Sequence, residues 1–175
     1  KWIDYQHIPE EIERQHLLEA VRIHTEVTGT PPEGIYTGRA SPNSLKIAAE
    51  YGKFAYVADS YADDLPYWEK VGSRQQLIVP YTLDSNDMRF ATNQGFNSGD
   101  QFFSYLKDSF DVLYAEGEEY PKMLSIGLHC RLVGRPGRAA SLARFLDYIQ
   151  AKERVWVTRR IDIARHWMAH HPAAG

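Results

Sequence analysis

The residues best suited to chemistry in this sequence fall in four clusters. His129 directly follows the apolar run Met123–Leu128. A histidine at the end of a buried strand can transfer protons near neutral pH, or it can be a hydrogen-bonded core residue. Arg39 stands between Gly38 and Ala40-Ser41-Pro42-Asn43. Its planar fork of donors could clamp a carboxylate, stabilise an oxyanion or pair with an acid that holds the loop. The third cluster, Asp59-Ser60-Tyr61-Ala62-Asp63-Asp64-Leu65-Pro66-Tyr67-Trp68, mixes carboxylates with large aromatics. Adjacent Asp63 and Asp64 diverge, so one can act as acid or base, or orient a histidine, while the other is solvated. Tyr67 and Trp68 cover apolar surface or stack on a flat ligand. The fourth cluster, Thr82–Phe90 with Gln94–Asn97, is dense in amides and carboxylates. Asn86 and Asn97 there could read the edges of an amide-rich ligand, or simply make turns.

Other candidates carry less. Cys130 follows His129, but neighbours on a strand point to opposite faces, so the two do not make a dyad. His166 and His170 share a helix face without an HEXXH pattern, so no residue is assigned to a metal.

Elements must bring these clusters to one end of a fold. Glu10–Thr28 has an apolar stripe, early acids and Gly29 as a stop, which predicts a helix. A strand over Gly34–Thr37 follows, then a helix ending near Tyr51 that Ser41 or Asn43 would cap, and a strand over Phe54–Ala58. The stretch Asp59–Gln76 reads as a long functional or mobile loop before a buried strand over Leu77–Tyr81. A helix over Asp100–Glu116, a strand over Met123–Leu128, a loop over Arg131–Arg138 and a helix over Ala139–Gln150 come next. A strand over Val155–Thr158 and a helix over Ile161–His170 complete the chain. Short strands alternating with helices predict an α/β fold with a mostly parallel sheet, whose ligands bind at the C-terminal strand ends. Those ends lie after Thr37, Ala58, Tyr81 and Leu128.

The 175 residues, 43% of them hydrophobic and 25% charged, describe an ordinary globular chain. A formal net charge of −3 provides no basic surface for nucleic acid or an anionic membrane. The lone cysteine forms no internal bridge and fits a reducing, cytoplasmic setting. The chain opens Lys1-Trp2-Ile3-Asp4-Tyr5 without Met, either as the middle of a longer protein or as the trimmed start of a complete domain.

Taken in order, Thr37–Asn43, Asp59–Trp68 and Leu124-Ser125-Ile126-Gly127-Leu128-His129 resemble the third, fourth and fifth motifs of the polysaccharide deacetylase family. The wording of Pro80–Phe90 and Gly127–Arg138 is similar to the allantoinase branch of that family. The resemblance covers essentially the whole chain. It implies the C-terminal half of a distorted (β/α) barrel of the NodB type, one partial domain over residues 1–175, whose first two motifs would precede Lys1. It also implies hydrolysis of a carbon–nitrogen bond: Arg39 positions an acidic partner, an Asp of the Asp63–Asp64 pair orients or tunes His129, and His129 passes a proton to the leaving nitrogen. Trp68 would wall the site, and Asn43, Asp59, Tyr61, Asn86 and Asn97 complete the candidate substrate-binding set.

Within the resemblance, the expected reaction opens the cyclic amide of allantoin without a cofactor. A divalent metal belongs to the rival reading, an N-deacetylase of amino-sugar polymers, and would be held mostly by the missing motifs. A catalytically inactive binding module on the same barrel is the third reading and describes the isolated half. Expected partners are a small-molecule substrate, the missing N-terminal half and further copies in a homo-oligomer.

Overall fold

Residues 3–173 are described by the structure, a computed structural model; the opening Lys1-Trp2 lies outside them. Pro9 precedes α1 (Glu10–Thr28), whose first turn gathers Glu10, Glu11 and Glu13 at the positive end of the helix dipole. Gly29 ends it in the left-handed region at φ 79°. The chain then forms β1 (Gly34–Ile35), α2 (Ser44–Tyr51), β2 (Tyr56–Val57), β3 (Tyr67–Val71) and β4 (Arg74–Ile78). The sheet order is β1-β2-β4-β3: the β1–β2 and β2–β4 pairs are parallel and the β3–β4 pair is antiparallel. These elements and residues 158–173 form one compact unit; residues 81–157 form a second. In the first unit, Ala48, Phe54, Val57 and Ile78 make a buried cluster against Leu17 and Val21 of α1.

The hairpin corrects the expected loop over residues 59–76. Tyr67 to Val71 pairs residue by residue with Arg74 to Ile78, and Gly72 takes the positive-φ first place of the two-residue turn at 60°. One strand of this hairpin lies at the sheet edge and alternates poorly in polarity, so periodicity does not reveal it.

The second unit starts with a 3₁₀ helix over Asp87–Ala91, followed by α3 (Gly99–Glu116), a single turn α4 (Cys130–Val133) and α5 (Pro136–Gln150). Ser98 caps α3 by accepting the Gln101 N–H. Pro136 begins α5 three residues before the predicted start, as proline does where no N–H is required. Phe96, Phe102, Leu106, Phe110, Phe145 and Ile149 form the core between α3 and α5. The predicted strand over 123–128 reduces to one parallel bridge, Asn86 to Gly127, because its neighbouring backbone turns at once into the 3₁₀ helix. No strand forms over Val155–Thr158, where Trp156 and Val157 are exposed.

On the α3–α5 surface, Asp111 accepts from Lys107 Nζ and Tyr148 Oη at 2.6 Å each. The Lys107 ammonium, and secondarily the Tyr148 hydroxyl, hold the Asp111 carboxyl below the usual aspartate range. A lowered carboxyl contributes stability that is full above the ordinary value and is lost as pH falls through the lowered one. Asp111→Asn is expected to cost about 0.5 kcal/mol at neutral pH, since the pair is only part-buried, and the difference should vanish in strong acid. Thermal denaturation of both forms from pH 7 to 2 checks this.

The chain returns to the first unit as α6 (Arg160–His170). Arg160 donates to the carbonyls of Val79 and Pro80 at 2.8 and 2.6 Å, closing the exit of β4. No described helix is long and apolar enough to cross a membrane.

Candidate active site

The second unit holds a histidine oriented by a buried carboxylate. Asp87, fully buried, receives His129 Nδ1–H on Oδ1 at 2.7 Å. Its Oδ2 accepts the backbone N–H groups of His129 at 2.8 Å and Val133 at 3.0 Å. With backbone donors on Oδ2 and Oδ1 facing the ring, hydrogen-bond matching places the ring proton on Nδ1. Nε2 then presents a lone pair, and no described residue bonds to it. The His129 side chain is 27% exposed, so that nitrogen is within reach of a ligand. His129 itself lies in extended backbone just before α4, and Asp87 ties the first turn of that helix to the ring.

Asp87 is kept in place by its own neighbours. Asn86, also buried, donates from Nδ2 to Tyr81 Oη and the Thr82 carbonyl and accepts the Met88 N–H on Oδ1. Asp87 N–H donates to the Gly127 carbonyl and Gly127 N–H to the Ser85 carbonyl, each at 2.9 Å. Gly127 cannot carry a side chain here: a Cβ would lie 2.2 Å from Asn86 Nδ2 and 2.6 Å from Tyr81 Oη. Gly127→Ala is expected to destabilise the protein by about 1–3 kcal/mol and to lower activity more than its stability loss explains. Urea titration alongside kcat at a temperature where the variant is folded checks this.

In the first unit the Arg39 loop is fastened at its root. Asp59 accepts Thr37 N–H at 2.8 Å, Thr37 Oγ1–H at 2.8 Å and Gly38 N–H at 2.7 Å. Gly38 stands at φ 70°, so consecutive amides turn inward around the carboxylate. Asp59 thereby fastens the loop at its root. Arg39 is exposed, and its guanidinium has no hydrogen bond or ion pair among the described residues.

The other candidates separate by how their polar atoms are used. Asp63 accepts the N–H groups of Asp64 and Leu65, an Asx turn within its own loop, and Asp64 is exposed. Tyr61 Oη meets Tyr36 Oη at 3.1 Å. Trp68 donates its indole N–H to the His171 carbonyl at 2.7 Å, which fixes it on the end of α6. Asn43 sits at the head of α2 with no side-chain cap bond. Asn97 is exposed with its backbone N–H on Gln101 Oε1, while the Asn86 amide is consumed internally. The carboxylate on His129 Nδ1 is Asp87, a residue outside the Asp63–Asp64 pair expected to orient it.

Comparison with known proteins gives this geometry its relatives. No family model matches the chain. A protein of Schizosaccharomyces pombe (strain 972 / ATCC 24843) named for the polysaccharide deacetylases is 43% identical over 189 residues, which cover 98% of this chain and 59% of that protein. A crystal structure of PuuE allantoinase matches with TM-score 0.96 and 61% identity, over 99% of this chain and 58% of the other. A Pseudomonas aeruginosa PAO1 structure also named for the polysaccharide deacetylases matches with TM-score 0.96 and 58% identity, over 99% and 59% of the two chains. The chain belongs to the polysaccharide deacetylase family. Its fold is the α/β, NodB-like fold of that family, and it spans 59% of the curated relative's length.

For the divalent metal associated with the family's deacetylases, no group of three or more His, Cys, Asp and Glu side chains among the described residues is placed to hold an ion. Two members of this polysaccharide deacetylase chain escape sequence reading. Asp87 is one acid in a polar loop, and its only signal is the density of acids and amides over Thr82–Arg89. Glu13, buried in α1, is indistinguishable by pattern from the solvated acids beside it.

Proposed function

We propose that this chain carries the proton-transfer half of a cyclic amidohydrolase that opens the hydantoin ring of allantoin to allantoate in purine breakdown. The observation that supports it is the oriented His129, with Nδ1–H on buried Asp87 and Nε2 open. As water adds to the amide carbonyl, a C–O bond forms and Nε2 takes the water's proton. As the C–N bond breaks, Nε2 returns that proton to the departing ring nitrogen, while Asp87 steadies the transient imidazolium. Arg39, with no partner among the described residues, is the group this reading assigns to an acidic partner. The 61% identity to PuuE allantoinase favours allantoin as substrate.

Two relatives named for polysaccharide deacetylases favour a second reading, metal-dependent removal of acetyl groups from amino-sugar polymers. The full-length protein, assayed on allantoin and on acetylated chito-oligosaccharides with and without chelator, separates them. Allantoin turnover that survives chelation supports the first reading. Deacetylation that needs added metal, with allantoin untouched, overturns it.

A further inference from the structure

The Arg39 loop is fastened on both sides, although its guanidinium bonds to none of the described residues. Asp59 grips the side before Arg39. The side after it is gripped by Glu13, which reaches across from α1 and is only 4% exposed. Ser41 Oγ donates to Glu13 Oε2 at 2.6 Å, and Ser44 Oγ donates to Glu13 Oε1. Each hydroxyl then accepts a loop amide: Asn43 N–H reaches Ser41 Oγ at 2.9 Å, and Ser41 N–H reaches Ser44 Oγ at 2.7 Å. The Tyr5 N–H adds a longer contact to the Arg39 carbonyl at 3.4 Å.

A buried carboxylate is expensive unless it is paired and hydrogen-bonded. No cation forms an ion pair with Glu13 among the described residues; neighbouring Arg14 pairs with Glu10 and Glu50, and Lys46 with Glu10. An apolar side chain would fill the α1–α2 junction without that cost. What the carboxylate supplies is two acceptors for two hydroxyls, which an apolar residue lacks and a neutral amide supplies only by half.

We infer that Glu13 is a positioning residue: through Ser41 and Ser44 it fixes the backbone from which Arg39 is presented. This inference rests on Arg39 acting in the hydrolysis proposed above. The relevant precision is small, since a displacement of about 1 Å at a reacting group can cost about 100-fold in rate.

The test uses the full-length protein and three changes: Glu13→Gln, the paired Ser41→Ala and Ser44→Ala, and Arg39→Ala. Backbone amide hydrogen exchange at residues 38–44 is the first readout. Glu13→Gln and the serine pair should both speed exchange there while α1 keeps its protection. Steady-state kinetics on allantoin is the second. Glu13→Gln should lower kcat about 10- to 100-fold, and should lower it no further when Arg39 is already Ala. Equal losses with and without Arg39, or unchanged loop exchange, overturn the inference. If Glu13→Gln does not fold, the serine pair carries the same comparison. Failure of the allantoin reading shows separately, as an unaltered parent that leaves allantoin intact, and loop exchange then decides alone.

Discussion

On the proposed reading, replacing Asp87 by Asn should lower kcat/KM of the full-length protein on allantoin by about 10²- to 10⁴-fold, the range that general acid–base catalysis contributes. Three donors converge on this side chain: His129 Nδ1–H, His129 N–H and Val133 N–H. An aspartate meets them with two acceptor oxygens, whereas an asparagine offers one oxygen and two further donors. If the amide oxygen faces the backbone groups, its NH₂ faces Nδ1, and the ring proton moves to Nε2, where it can no longer collect a proton from water. If the oxygen faces Nδ1, the NH₂ points at two buried N–H groups, at a cost of roughly 1–3 kcal/mol. Either arrangement also removes the anion beside the imidazolium. The kinetic loss with denaturant stability followed in parallel decides the point; a variant with near-normal kcat would dismiss Asp87 as a catalytic support.

The larger effect belongs to His129 itself. His129→Ala should reduce kcat by about 10³-fold or more with KM changed little, because the lost step is proton transfer rather than binding. The fold should survive: the ring is part-exposed, and the backbone N–H keeps its bond to Asp87. Added imidazole should restore part of the rate. Asp87→Asn placed on top of His129→Ala should cost little more activity, since the carboxylate acts on chemistry through the ring. A His129→Ala enzyme within a few-fold of the parent would move the proton shuttle elsewhere.

Much of the scaffold is legible in the sequence. The expected first helix matches α1 from Glu10 to Thr28, since its stripe, early acids and terminal Gly29 all agree. The α3 helix is equally plain from Phe103, Leu106, Phe110 and Leu113 between Ser98 and Gly117. The α/β class follows from the alternation of short strands and helices, and the family from the order of motifs. Strands are less legible, because a strand exists only where another backbone lies beside it. Met123–Leu128 has the composition of a strand but finds a partner only at Gly127. Tyr67–Val71 lacks a clean alternation of polarity but gains a partner through the turn at Gly72.

Of the site, the positions of His129 and Arg39 at loop entries are readable, whereas the wiring behind them is not. Asp87 and His129 are 42 residues apart, and no local pattern announces which of several acids will be enclosed with the ring. Asp59 and Trp68 show the converse: chemically apt groups whose polar atoms are used within the first unit.

The Asp87 carboxylate serves three clients at once: the tilt of a ring, the path of the chain at His129 and the first turn of α4. Such sharing leaves little room for gradual change. A substitution that suits one client deprives the other two, so drift at this position is blocked unless residues 129–133 change in the same step. An exposed position such as Asn97, whose side chain bonds to no described residue, carries no such constraint.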